Sequence, residues 1–319
     1  MFRPFPLAVR ALARAAVLMV VGGCTTAVPP PTPTSGPAAS MPSLQSAAPS
    51  ASASATTAPT VEPASGRIVF ARYLGAFTIW LTDPNGANEA RLVPGAHECP
   101  RWSPDGTAIA MSPSGVFRDV GQPNARYEAF RFADPTLTLG CSIWSPDGQR
   151  LAFEGWDETD HDRDGIYTAN AIDGSDVRRL TNSPAGGTDI PGDFSADGSH
   201  LFFTRGRLMV VAMDGSDPQP LTDESGYDVP SLSPDGRTLV AAHEGRLRLI
   251  AVDGSAVRVI PSSERIWGGP SWSPDGKWIV FSLITRTQSL AIGRVRPDGS
   301  GLFQITHNPA SEEFPDWAR

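Results

Sequence analysis

Trp144-Ser145-Pro146-Asp147-Gly148, followed by Leu151-Ala152-Phe153, reads as a tight turn leading into a short apolar strand, and the chain repeats it. Intact copies stand at Trp102-Ser103-Pro104-Asp105-Gly106 and Trp272-Ser273-Pro274-Asp275-Gly276. Degenerate ones stand at Phe194-Ser195-Ala196-Asp197-Gly198 and Leu232-Ser233-Pro234-Asp235-Gly236, and a sixth begins at Phe314-Pro315-Asp316-Trp317. Each residue has a reason to be there. Ser bonds the turn backbone, Pro presets φ, Asp suits the next position, and Gly takes the left-handed conformation that closes a bulged hairpin. The motifs recur about every 38 to 50 residues, room for four short strands and their turns.

The strand after each turn is β-rich: Ile109-Ala110-Met111, Leu201-Phe202-Phe203, Leu239-Val240-Ala241 and Ile279-Val280-Phe281. A third strand ends in Asp-Gly at 173–174, 214–215, 253–254 and 298–299, and a fourth is short, as in Arg179-Leu180-Thr181. The second unit departs from this pattern. It has no Asp-Gly, and only Pro135-Thr136-Leu137 is available as its fourth strand.

These repeats resemble the WD-like repeats of TolB and its relatives, from Gly66 to Arg319. The resemblance implies an all-β, six-bladed β-propeller of four-stranded blades around a central channel, with the Trp-bearing strand innermost. The last inner strand, near Phe314, lacks its outer three, while Arg67-Ile68-Val69-Phe70 and the two strands after it lack an inner one. Both termini therefore close the ring in one shared blade, which removes an exposed sheet edge at the join. The repeated Trp residues then serve as packing between blades.

Residues 1–23 read as a signal peptide, with basic Arg3, Arg10 and Arg14 ahead of a short apolar run. Val21-Gly22-Gly23-Cys24 resembles a lipobox, which makes Cys24 a lipidation site and the expected location extracytoplasmic, anchored to the cell membrane by lipid alone. Residues 24–65 are the lipidated Cys and a tether of Ala, Pro, Ser and Thr, with Glu62 its only charge. Such a composition buries too little apolar surface to fold and is expected to be disordered. Residues 66–319 form the propeller domain.

Beyond residue 23, 23 basic residues face 34 acidic ones, a net charge of −11. A polyanion would find few groups to displace its counterions, so nucleic acid is not an expected partner. Loops that enter the inner strands lie opposite the tight turns, and varied loops on a rigid scaffold are where recognition usually sits. Glu98, Asp189, Asp228, Glu312 and Glu313 stand there at similar offsets and are expected to ring one mouth of the channel, with His97, Arg265, Trp267 and His307 on the same face. A funnel of one sign attracts cations and basic groups; a solvated acidic rim is the plainer reading.

Asp160-x-Asp162-x-Asp164-Gly165 resembles a calcium loop, although Thr168 and Ala171 occupy its ninth and twelfth positions. It reads as a Ca²⁺ site or as a solvated acidic hairpin, and no other cofactor is expected. Cys99 and Cys141 each lie three residues before a motif Trp. They either bridge neighbouring inner strands or remain two buried thiols, according to whether their Cα atoms come within about 7 Å. No G-x-S-x-G elbow or triad spacing is present. The expected function is a monomeric, lipid-anchored module that binds an envelope protein or peptide. The alternative is a metal-dependent hydrolase with its site at the acidic mouth.

Overall fold

The computed structural model describes residues 66–318 apart from 185, 186, 217 and 263, so the signal peptide, Cys24 and the tether lie outside the described residues. Twenty-four strands form six four-stranded sheets arranged as a propeller, and the sole helical element among the described residues is a 3₁₀ turn at His161–Arg163. The inner strands of blades one to six are Glu312–Trp317, Glu98–Trp102, Leu137–Trp144, Ile190–Phe194, Ser231–Leu232 and Ile266–Trp272. Blade one is completed by Ile68–Tyr73, Phe77–Thr82 and Ala90–Val93, so the two ends of the domain share a sheet. Ile68 pairs with Trp317 and Arg72 with Glu312. The second blade's outer strand is Arg126–Ala129. Leu137 instead opens the third blade's inner strand, so Pro135-Thr136-Leu137 is not the missing fourth strand.

The turn chemistry is built five times. Ser Oγ of residues 103, 145, 195, 233 and 273 donates to the Asp Oδ1 two residues on at 2.6–2.7 Å. That oxygen also accepts an amide N–H two residues further along. The closing glycines have φ between +68° and +72°, a conformation that costs a side-chain-bearing residue about 1 kcal/mol or more.

Apolar clusters sit between blades. One unites Val69 and Ile79 of blade one with Trp102, Ile109 and Met111 of blade two. Another joins Ile68 and Phe70 to Val280 and Ile292 of blade six. The indoles add polar ties: Trp144 Nε1 donates to the Arg101 carbonyl at 3.0 Å and Trp272 Nε1 to that of Ser231 at 3.3 Å, each in the preceding blade. Asp316 of the closing blade accepts from the Trp102 amide and the Ser271 hydroxyl, both at 2.7 Å, so it grips a neighbour on each side.

Charges are also used for closure. Arg72, 1% exposed, binds Glu312 and Glu89 and lies 4.2 Å from the centre of the Trp80 ring; Thr306 of blade six donates to the same Glu312. A matching clasp joins Arg205, Asp189 and Thr181 between blades three and four. Removing one partner leaves a buried charge uncompensated. Glu312→Ala is therefore expected to lower the unfolding free energy by about 3 kcal/mol, read from the midpoint of a urea titration, with Glu312→Gln losing less.

Candidate functional site: the acidic channel mouth

Counting back from the motif Trp, or the residue in its place, aligns the six inner strands. Three residues before it stand Cys99, Cys141, Pro191, Val229, Gly269 and Phe314. All six line one cavity at the mouth opposite the tight turns, with a volume of about 650 Å³. Cys99, Gly269 and Phe314 have φ of +50°, +61° and +55°, and the pairing register breaks beside each. These bulges bend the strands where they meet the channel; for Cys99 and Phe314, which carry side chains, the conformation stores strain of about 1 kcal/mol or more each. Cys99 and Cys141 are bonded to each other across blades two and three, with Cα atoms 5.5 Å apart.

One position earlier stand Glu98, Gly140, Ile190, Asp228, Gly268 and Glu313. Asp228 and Glu313 line the cavity, and Glu98 is close enough for the Glu313 charge to act on it. Burial, together with Glu313, pushes the Glu98 carboxyl up to about 7. Burial also raises Glu313, opposed by a hydrogen bond from Trp267 and assisted by the charge of Asp228. Asp228 is raised by burial, against the Gly269 and Val229 amides and the Arg101 charge. Its Oδ2 accepts the Gly269 N–H at 2.6 Å, and a Cβ on Gly268 would lie 2.1 Å from that oxygen. The glycine makes room for the acid.

The expected ring is therefore only partly assembled. Asp228, Trp267 and Glu313 line the cavity, with Glu98 beside them. Asp189 and Glu312 do not: each stands five residues before the motif position, is at most 1% exposed, and is spent on its arginine clasp. A one-residue offset on a strand turns a side chain to the other face. His97 shares that offset and packs its ring 4.6 Å from Tyr127. Arg265 and His307 are exposed on the loops before the inner strands and are not lining residues.

Several lining residues had no sequence signal of their own. Arg101 and Ser142 lie on inner strands, whereas Glu154 and Ser282 come from second strands. Ser142 and Ser282, 2% and 1% exposed, have hydroxyls without a hydrogen-bond partner. Aligning the inner strands on their motif residue gives the one available clue: Gly140 and Gly268 have no side chain to cover the second strand.

The acidic hairpin, read as a calcium loop or as a solvated acidic hairpin, does not gather Asp160, Asp162 and Asp164 into one cluster among the described residues. Asp160 caps the 3₁₀ turn by accepting from the Asp162 amide, and Asp164, 4% exposed, accepts from the Asp157 amide. Asp157, outside the proposed ligand set, is the hub, accepting from Thr136, Thr159 and Arg163. Among the described residues no group of three His, Cys, Asp or Glu side chains is arranged to hold a metal ion, here or at the mouth.

The sequence matches the TolB β-propeller domain family over residues 130–319. The chain belongs to that family. Among curated relatives, this TolB-family propeller is 29% identical to an uncharacterised peptidase, YuxL, of Bacillus subtilis over 59% of this chain and 30% of that one. It is 30% identical to the Tol-Pal system protein TolB of Anaeromyxobacter dehalogenans over 46% of this chain and 36% of that one. The propeller thus spans about a third of the length of these two relatives. In solved structures its fold is that of TolB from Acinetobacter baumannii, with a TM-score of 0.64 at 18% identity, covering 81% of this chain and 67% of that one.

The raised Glu98 pKa has a definite sign. Between its ordinary value of 4.5 and about 7 the folded state holds more protons than the unfolded, so stability falls as pH rises through this window and levels off above it. Glu98→Gln is expected to match the wild type near pH 4 and to exceed it above pH 7 by about 2–3 kcal/mol. Thermal melts across that range check this, and equal pH profiles for the two proteins would refute it.

Proposed function

We propose that this chain is an extracytoplasmic, lipid-anchored propeller that receives a basic segment of an envelope protein or peptide at its acidic channel mouth. The observation that carries the reading is the crowding of Glu98, Asp228 and Glu313 around one cavity. Burial and mutual repulsion resist the ionisation of these carboxyls, so a cation entering among them relieves a standing cost. Trp267, 41% exposed at the rim, offers an aromatic face for the same cation. The surplus of acid over base throughout the domain steers a basic partner towards it.

The address rests on Val21-Gly22-Gly23-Cys24 and the basic leader before it. Membership of the TolB family, with relatives named for the Tol-Pal system, supports a partner that is itself a protein. Binding should draw Glu98 into its ionised form, so affinity is expected to rise between pH 6 and pH 8.

The test is affinity capture from solubilised envelope, comparing the wild-type chain with a Glu98→Gln, Asp228→Asn, Glu313→Gln variant of unchanged circular dichroism. A protein held at least about tenfold more tightly by the wild type, a difference of about 1.4 kcal/mol, supports the reading. Equal retention would move the interface off the mouth.

A further inference from the structure

Trp278 follows the Ser273–Gly276 turn, and Arg296 leads into the Asp298-Gly299 turn, so both lie at the turn face, opposite the acidic mouth. The Arg294 guanidinium lies 4.2 Å from the Trp278 ring centre and 5.2 Å from that of Phe303, and Arg296 lies 4.3 Å from Trp278. Arg72 has the same arrangement over Trp80 and Phe70, at 4.2 and 5.4 Å, but there Glu312 and Glu89 balance the charge. Neither Arg294 nor Arg296 has a carboxylate partner among the described residues. Arg294 Nε is also buried without an acceptor. Asp298 feels the Arg296 charge, but its carboxylate is already bonded to the Ser300 amide at 2.8 Å. From blade five, Arg258 brings a third guanidinium to the same turn, donating to the Pro297 carbonyl at 3.1 Å.

We propose that Arg294 and Arg296, shelved on Trp278, form a phosphate-binding site on the turn face. Arg294 near the end of its strand and Arg296 just beyond it are brought together on the Trp278 ring, and each presents a planar fork that matches phosphate oxygens. The aromatic shelf fixes the forks before a ligand arrives, which lowers the ordering cost of binding. Two positive charges match a phosphate dianion better than a single carboxylate. Burial and the neighbouring Arg296 hold Arg294 below its ordinary pKa, a cost that an anion between them would relieve. The chain enters the domain at Gly66 on this same face, since Ile68 pairs with Trp317 where the inner strand runs out. The site therefore lies on the face at which the chain enters the domain.

The test uses the full-length chain and the NMR signals of the arginine Nε–H groups, assigned with Arg294→Lys. Titration with inorganic phosphate is expected to shift the Arg294 signal saturably with a dissociation constant of about 1 mM. The shift should weaken about tenfold in Arg296→Gln, an exposed position that leaves the fold intact, and with acetate in place of phosphate. Co-sedimentation with phosphatidic acid vesicles, but not with phosphatidylcholine alone, and its loss in Arg296→Gln, would assign the phosphate to lipid. Saturation by inorganic phosphate without vesicle binding would support the site with a soluble ligand. A shift that fails to saturate, or one undiminished in Arg296→Gln, would overturn the proposal. The mouth variant described above retains every residue of this site, so the two readings fail independently.

Discussion

The pairing of Glu312–Trp317 with Ile68–Tyr73 is the constraint on which the rest of the molecule depends. Five blades are local constructions, each made from consecutive strands, and any of them can be formed by short-range hairpins. The remaining blade joins residues some 240 positions apart and defers its loop-closure entropy to the end. What offsets that cost is concentrated in a few groups. Asp316 holds blades two and six, and Glu312 gathers Arg72 and Thr306. Glu312 and Asp316 of the final strand thus work as fasteners, while Glu313 lines the acidic cavity at the mouth.

The fold was legible because its signal is repeated. The Ser-Pro-Asp-Gly turn encodes its own hydrogen bonds, and five copies with an incomplete sixth imply six blades and a closing blade shared by both ends. The second blade's outer strand escaped because Arg126–Ala129 is polar and follows no Asp-Gly, so its identity comes from pairing with Gly115–Arg118 rather than from local composition. At the mouth, the acids were legible as a class but not by side. Asp189 stands five residues before its motif position and Glu313 four before its own, and that difference of one position sends the former to Arg205 and the latter to the channel. The calcium-like spacing at Asp160, Asp162 and Asp164 does not bring those carboxylates into a common cluster among the described residues, for a related reason. Alternation brings carboxylates together only when the backbone wraps around a common centre, and here Asp160 caps a 3₁₀ turn while Asp164 accepts the Asp157 amide.

Repetition also explains where distinctive chemistry can arise. The turn face is made of copies and differs from blade to blade mainly in its flanking residues, such as Trp278 and Arg296. At the mouth the equivalent positions hold three acids, two glycines and an isoleucine. Absent side chains matter as much as present ones there. Gly140 leaves room for the Trp156 ring and Gly268 for the Asp228 carboxylate.

Gly268 and Asp228 illustrate what this means for the sequence's future. They belong to different blades, 40 positions apart, yet the carboxylate occupies the space a β-carbon at 268 would need. Neither can drift alone: any residue with a side chain at 268 expels the acid, and losing the acid leaves a hollow beside the glycine. The two behave as a single heritable unit, so change at this part of the mouth has to pass through paired substitutions. A lineage that alters the charge of the mouth is therefore freer to do so at Glu98 or Glu313, for which no such interlock with a glycine is found.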